Sequence, residues 1–436
     1  MPKNYKWSVV AMLWFVCFFN YADRQAIYSI FPQLKTEFGF DAVQLGLIGS
    51  AFMWVYAAGA PLAGFIGDRV QRRHLILGGC VFWSAVTVMT GWCSKLWHFV
   101  TVRALEGFGE TFYYPSSVSL LSDYHGKRTR SRAFSLHQSS VYIGTIGGSW
   151  AGAWFAENHG WRIAFYFFGI AGAILALVLY GFMREPARGA ADAAEVVELD
   201  PSQAHDGTIR PKTALGVAET LRVVFSKPTA VLLMLVFVGS NFVATIFLTW
   251  TPTFLVEKFG FKLAAAGLSG TVFIHLASAC SGPFGGWLAD RLSRHYAGGR
   301  MMVQAFGLLV GASFVALVGL THNVTTLLWA MTLFGLCKGL YDSNIFASLF
   351  DVIEPRARAS AAGIMNSVGW GGGALGPLAV GFATKYGRHA NPTDNMSEAI
   401  AFGAIVYLVG AALLILGIVV FVRRDVARMA TPAGAT

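Results

Sequence analysis

Twelve stretches of about 20 mainly apolar residues, separated by short polar turns, leave this chain few ways to fold. An α-helix needs roughly 20 such residues to cross about 30 Å of hydrocarbon. The stretches fall near 7–31, 43–66, 74–94, 97–121, 133–156, 161–183, 229–255, 263–287, 300–320, 324–349, 359–384 and 398–422. No strand-like alternation of useful length interrupts them, and an open sheet edge in lipid would leave backbone groups unpaired. The expected fold is therefore all-α: a polytopic membrane protein with 12 transmembrane helices. Composition agrees, because only 13% of the 436 residues are charged, about half the usual share of a soluble domain. A surface that faces lipid needs no charge to dissolve. The first apolar run is too long for a signal-peptide core and lacks a small-residue cleavage site, so it reads as the first membrane helix.

The net charge of +10 raises the possibility of nucleic acid as a partner. Its distribution argues against that: Arg69, Arg72 and Arg73, then Lys127, Arg128, Arg130 and Arg132, then Arg291, Arg294 and Arg300, then Arg423 and Arg424 sit in short runs between apolar segments. Lys and Arg gathered on one side set the orientation of a membrane protein. That side carries both termini and the central loop, which are expected in the cytoplasm, with the chain in a bacterial inner membrane. The lipid bilayer is then its first partner, and a monomer is expected. Cys17, Cys80, Cys93, Cys280 and Cys337 have neither disulfide-framework nor zinc spacing and read as buried packing residues. No cofactor or metal is expected.

Residues 184–228 differ from the rest: rich in Ala, Asp, Glu, Pro and Gly, nearly charge-balanced and almost free of aromatics. Gly189 to Ile209 reads as a flexible linker, and Ala214 to Phe225, apolar at helical spacing, as a surface helix. The expected organisation is a six-helix half at 1–183, this linker at 184–228, a second half at 229–422 and a cytoplasmic tail at 423–436. The halves echo each other. Gly64-x-x-x-Asp68-Arg69 matches Gly286-x-x-x-Asp290-Arg291; Leu121-Ser-Asp123 with Arg130-x-Arg132-Ala133 matches Leu349-Phe-Asp351 with Arg356-x-Arg358-Ala359. Two matches in succession argue for duplication into two pseudo-symmetric bundles. Transporters built from such repeats bind substrate near the midplane between the halves.

The repeated Gly-x-x-x-Asp-Arg loop resembles the signature of the major facilitator superfamily, with Gln71 where that family usually has Gly. The resemblance covers essentially the whole chain. It implies the twelve-helix fold, secondary active transport by alternating access, and a conformational gate at Gly64, Asp68, Arg69, Asp290 and Arg291. Asn20-Tyr21-Ala-Asp23-Arg24, with Arg103-x-x-Glu106-Gly-x-Gly-Glu110, is similar to the anion:cation symporter family, whose members move sugar acids and other organic anions with protons. Spinster-like lysolipid transporters share this pattern, and Arg130-Ser-Arg132-Ala-Phe-Ser135, Trp161-Arg162-x-Ala-Phe165 and Arg184-Glu-Pro186 resemble them more. Asp342-Ser-Asn344 through Asp351 is more similar to the sugar-acid group.

A charge at the centre of a membrane helix costs about 2.5–3.5 kcal/mol on insertion scales, so each such residue needs a reason. Asp23 and Arg24 are adjacent and point about 100° apart; at least one must meet a cavity or another helix. The symporter resemblance implies that Arg24 holds the substrate anion and Asp23 takes up a proton. Arginine suits an anion because its planar fork makes two parallel hydrogen bonds. Arg103, Glu106 and Glu110 share one helix face. Arg103 can pair with Glu106, leaving Glu110 without a partner on its own helix, where low dielectric favours a bound proton. Glu110 is therefore the leading proton-coupling candidate, with Glu106 structural; the resemblance implies coupling through Arg103 and Glu110. Lys338 occupies the repeat position of Glu110. It could neutralise Glu110, bind the anion beside Arg24, or pair with Asp342 one turn on.

Tyr21, Tyr113, Gln138, Asn241, Asn344 and Asn366 are candidates to line a polar substrate cavity, and His137 and His275 are weaker proton carriers. The Gly369 to Gly376 run lacks the Gly-Lys-Ser/Thr ending of a phosphate loop and reads as close helix packing, as do Gly144, Gly147, Gly148 and Gly152. With no His-Glu-x-x-His, no phosphate loop and no nucleophile arrangement, an enzyme is not expected. The expected function is proton-coupled symport of a small organic anion such as a sugar acid; the alternative is Spinster-like transport of a lysophospholipid or other amphiphile.

Overall fold

In the computed structural model, residues 5–67, 69–187, 191, 217–354 and 357–430 are described. Every described element is helical. In chain order these are α1 (Tyr5–Ser29), α2 (Phe31–Phe38), α3 (Ala42–Gly67), α4 (Arg72–Thr90), α5 (Leu96–Glu110), α6 (Tyr113–Tyr124), α7 (Lys127–Asn158), α8 (Trp161–Phe182) and α9 (Val217–Phe225). Then come α10 (Pro228–Phe259), α11 (Leu263–Ser293), α12 (Gly299–Leu320), α13 (Val324–Asp342), α14 (Ile345–Val352), α15 (Arg358–Gly373), α16 (Leu375–Tyr386) and α17 (Pro392–Leu416), with a π turn (Gly417–Phe421) leading into α18 (Val422–Ala430).

All twelve apolar segments are helical. Among the described residues, eight helical segments are both long and apolar enough to cross a membrane. The other four expected spans are α1, α5–α6, α7 and α15–α16, which carry buried ions, polar stripes or a break. α5 stops at Glu110 and α13 at Asp342, each followed by a short turn before the next helix begins. Of the surface helix expected over Ala214–Phe225, Val217–Phe225 is helical as α9, and 214–216 lie outside the described residues. The linker expected at 189–209 lies outside the described residues apart from Ala191.

Two compact units emerge, one of Met1–Gly39, Trp54–Pro211 and Leu263–Leu268, the other of Phe40–Met53, Lys212–Lys262 and Ser269–Thr436. The boundaries differ from the expected halves at the starts of α3 and α11. The first turns of α3 belong with the second unit because Gly46 and Gly49 press against Pro377 and the Ser50 hydroxyl donates to the Ala374 carbonyl. Asp41 opens α3 with a reciprocal cap: the Gln44 N–H donates to its carboxylate at 2.9 Å and its own N–H to the Gln44 side chain at 3.0 Å. The first turn of α11 joins the first unit because Ser149 donates to the Gly267 carbonyl at 2.7 Å.

Within the first unit, α1 and α7 pack most closely. Gly144, Gly148 and Gly152, one turn apart, lie against Phe18, Ala22 and Ala26 of α1, with no room for a Cβ. Small residues at this spacing let helix backbones meet in a lipid-facing protein. In the second unit Gly369, Gly372, Gly373 and Gly376 do the same against Phe237, Val238, Asn241 and Phe242 of α10. Cys17, Cys80, Cys93 and Cys337 are buried as expected, but Cys280 is exposed.

The residues expected to form the cytoplasmic tail begin as α18. Asp425 is buried, and its carboxylate accepts from the Thr229 N–H at 3.0 Å and the Thr229 hydroxyl at 2.6 Å. It supplies the acceptor that the start of α10 lacks, since Lys227 makes no side-chain cap.

Candidate functional site

The buried ions of the first unit form one cluster. Arg24 leaves its sequence neighbour and crosses to α5. Its Nε donates to Glu110 Oε2 at 2.8 Å, its second nitrogen bonds the same oxygen, and it also reaches Asn20 Oδ1 at 3.2 Å. The guanidinium lies 4.4 Å from the Tyr21 ring centroid and 5.5 Å from that of Tyr56, a cation held against aromatic faces. Asp23 accepts from the Arg24 backbone N–H at 2.7 Å and from the Thr87 hydroxyl at 3.2 Å. Arg103 pairs with Glu106 one turn on and donates to the Tyr28 hydroxyl at 3.0 Å.

All five charged side chains are buried, and oxygens of Asp23, Glu106 and Glu110 lie within 4.8 Å of one another. With every group ionised, three carboxylates and two guanidiniums leave one negative charge uncompensated in low dielectric, an arrangement that is costly until something positive joins it. Glu110 Oε1 is buried and accepts no hydrogen bond. The three carboxylates are close enough to share a cation, but Arg24 and Arg103 already occupy Glu110 and Glu106. A proton on one carboxylate suffices to balance the cluster.

Not every candidate joins this cluster. The Tyr113 hydroxyl donates to the Leu13 carbonyl at 2.8 Å and lies 3.0 Å from His137 Nε2, pinning three helices together. Gln138 accepts from Tyr114 at 3.4 Å. In the second unit Lys338 pairs with Asp342 along one helix face, with 16% and 36% side-chain exposure. Asn241 donates to the Phe237 carbonyl of its own helix. Asn344 is buried and spent on the Gly285 and Leu340 carbonyls, a packing role. Asn366 is half-buried. The sequence alone does not single out Asn20, Tyr28, Tyr56 or Thr87. Asn20 stands one turn before Arg24 within the quoted motif, whereas Thr87 and Tyr56 carry no pattern that marks them.

At the ends of the helices the duplicated motifs become tethers. Arg72 pairs with Asp123 and Glu185 in the first unit, and Arg300 with Asp290 and Asp351 in the second. Arg130 donates to the Ser122 and His125 carbonyls, eight and five residues back. Arg358 makes the same two contacts, at the same separations, to Phe350 and Ile353. Arg130 thus corresponds to Arg358, correcting the match to Arg356 that the Arg-x-Arg-Ala strings suggest. Of the residues expected to gate, Asp290 accepts from Arg300, Arg291 lies 6.0 Å from the Trp287 ring, and Arg69 is exposed. Asp68 and the side-chain position of Gly64 lie outside the described residues.

Comparison with known proteins agrees with this architecture. The family model of the Major Facilitator Superfamily matches residues 13–377, and again 275–436. The chain is 26% identical over 428 residues to sodium-dependent phosphate transport protein 1, chloroplastic, of Arabidopsis thaliana, covering 94% of this chain and 78% of that protein. It is 23% identical to a probable galactarate/D-glucarate transporter of Escherichia coli (strain K12), covering 87% of each. Its fold is similar to that of a bacterial homologue of the human lysosomal transporter Spinster, solved in an inward-facing and unoccupied conformation. The TM-score is 0.79 at 21% identity, over 98% of this chain and 99% of that one. The chain belongs to the Major Facilitator Superfamily and is a multi-pass membrane transporter.

Proposed function

We propose that this transporter carries a small organic anion, such as a sugar acid, together with a proton. The observation that carries the reading is the Arg24–Glu110 pair inside a buried cluster with one negative charge in excess. While Glu110 is ionised it holds the Arg24 guanidinium. A proton on Glu110 weakens that hold and frees the fork of Arg24 for a carboxylate of the substrate, so proton and anion enter together. Asp23, one residue away and bonded to Thr87, is the second place for the proton. Tyr21 and Asn20 keep the guanidinium oriented while it changes partner.

The named substrates of similar proteins, phosphate and galactarate or glucarate, are anions, which supports the anion half of the reading. We further propose that the chain works as a monomer in a bacterial inner membrane with both termini cytoplasmic, in keeping with its Lys and Arg distribution. The test uses proteoliposomes. Uptake of glucarate should rise with an inward proton gradient, and Glu110→Gln should abolish the gradient-driven part while glucarate counterflow survives. Gradient-driven uptake at the wild-type rate in that variant would remove Glu110 from the mechanism. Counterflow of lysophospholipid with none of any sugar acid would replace the anion by an amphiphile.

A further inference from the structure

The second unit holds a crevice of about 590 Å³ between α16, α17 and α10, within the range of ligand-binding clefts. None of its lining residues belongs to the buried ion cluster of the first unit. Ala379 and Ala383, one turn apart on α16, and Gly387 just past its end form a wall without bulk. Phe402 and Ile405 of α17 form the other wall, both more than half exposed, and Phe242 of α10 closes the base. From Tyr386, the last residue of α16, down to Ala379 the trough runs about 10 Å along the helix, much of one leaflet of a hydrocarbon core about 30 Å thick.

Only its mouth is charged. Glu398 lines the crevice there and pairs with Arg388, whose side chain is 77% exposed, and with His389 Nε2 at 3.4 Å. Tyr386, exposed and stacked on Phe382, marks the mouth as headgroup level, where amphipathic rings concentrate. Lys385 beside it is engaged by Asp41. An apolar trough of leaflet depth under a mouth with one cation and one carboxylate is complementary to a lipid. Its acyl chain fills the trough, its phosphate meets Arg388, and a primary ammonium donates to Glu398.

We propose that this crevice binds one phosphatidylethanolamine molecule from the surrounding bilayer. A choline headgroup has no N–H to give Glu398, and a glycerol headgroup has no positive charge. The lipid-binding readouts do not depend on what the protein transports; only the counterflow control rests on the proposed substrate.

The test is native mass spectrometry of the full chain, delipidated and titrated separately with palmitoyl-oleoyl phosphatidylethanolamine, phosphatidylglycerol and phosphatidylcholine. One ethanolamine lipid should be retained per chain, about tenfold above the other two, the effect of one charge-assisted contact. Ala383→Phe, which fills the trough, should remove the retained lipid. Glu398→Gln, which keeps the shape, should retain a lipid but lose the preference for ethanolamine. Thermal unfolding of both variants at the wild-type temperature establishes that they are folded, and glucarate counterflow should be unchanged in both. Equal retention of the three lipids by the wild type overturns the proposal, as does a preference that survives Glu398→Gln. A dimer that dissociates on Ala383→Phe would make the occupant a second copy of the chain. Loss of counterflow in a folded Ala383→Phe would make the crevice part of the transport path; either result also overturns it.

Discussion

The two units share a scaffold and differ in what they bury. Left-handed glycines end α2 and α10 alike, Gly39 at φ 68° and Gly260 at φ 66°. Pro61 and Pro283 lie inside α3 and α11, and the Arg72–Asp123 and Arg300–Asp351 pairs, like the Arg130 and Arg358 carbonyl contacts, recur. In the register these anchors set, Asp23 and Arg24 correspond to Ala244 and Thr245, Arg103 and Glu106 to Met331 and Phe334, and Thr87 to Val315. Phe334 is fully buried and stacks on Phe247 at 4.5 Å, apolar packing where the first unit has an ion pair. Glu110 alone corresponds to another charge, Lys338, and Lys338 is spent on a half-exposed aspartate of its own helix. Features kept in both copies hold helix ends together, while those kept in one copy belong to its chemistry. Replacing a buried ion pair by packed apolar side chains is often neutral or stabilising, so stability does not account for the ions of the first unit.

That contrast can be broken by experiment. Arg24→Met should cost about 3–5 kcal/mol of unfolding free energy, because it strands Glu110 in the interior. The double variant Arg24→Met/Glu110→Leu should recover much of that loss. If the double variant were no better than the single, the cost would lie in packing and the ionic contrast would fail. Next, Arg130→Ala and Arg358→Ala should each cost about 1.5–3 kcal/mol, the worth of charged hydrogen bonds to carbonyls. Equal shifts in denaturation midpoint would sharpen the equivalence of the two tethers, and a shift confined to one unit would break it. Lys338→Met removes a partly exposed pair and should cost no more than about 1 kcal/mol; a loss as large as that of Arg24→Met would place a buried ionic core in both units.

The smallest effect concerns Asp41. Burial pushes its carboxyl up, but hydrogen bonds from Lys385 and from the Gln44 and Val43 N–H groups outweigh this and hold it below the usual value of 3.8. Its folded value is depressed, so its contribution is fully present above pH 3.8 and is lost as pH falls through the lower folded value. Asp41→Ala should lower the melting temperature by the equivalent of about 0.5 kcal/mol at neutral pH, and by less in strong acid, where the charge-linked part is gone.

Much of this was legible before any coordinates. Hydrophobic segments about 20 residues long mark the helices, and charges inside such segments mark the cluster, since lipid tolerates them only for a reason. The partner of Arg24 was not legible. Helical spacing relates residues on one helix, and nothing in the sequence says that α1 and α5 bring Arg24 to Glu110. The repeat register was misread for a similar reason. The Arg-x-Arg-Ala string stands two residues nearer to Asp351 than its copy does to Asp123, so matching letters pairs Arg130 with Arg356 while the carbonyl contacts pair it with Arg358. Thr87, Tyr28 and Tyr56 were invisible because a lone hydroxyl in an apolar helix has no pattern, and Cys280 because an apolar segment hides which of its sides is covered.

The carboxylate of Asp425 has a consequence for how the second unit is made. The start of α10 waits for an acceptor that lies 196 residues further along. During synthesis that helix leaves the ribosome with the Thr229 amide unserved, since Pro228 has none and the Ala230 and Val231 amides already reach the Lys227 carbonyl. The contact that completes this helix start therefore forms last, once α18 has been made. Until then Thr229 depends on whatever else offers oxygen, water or lipid headgroups among them.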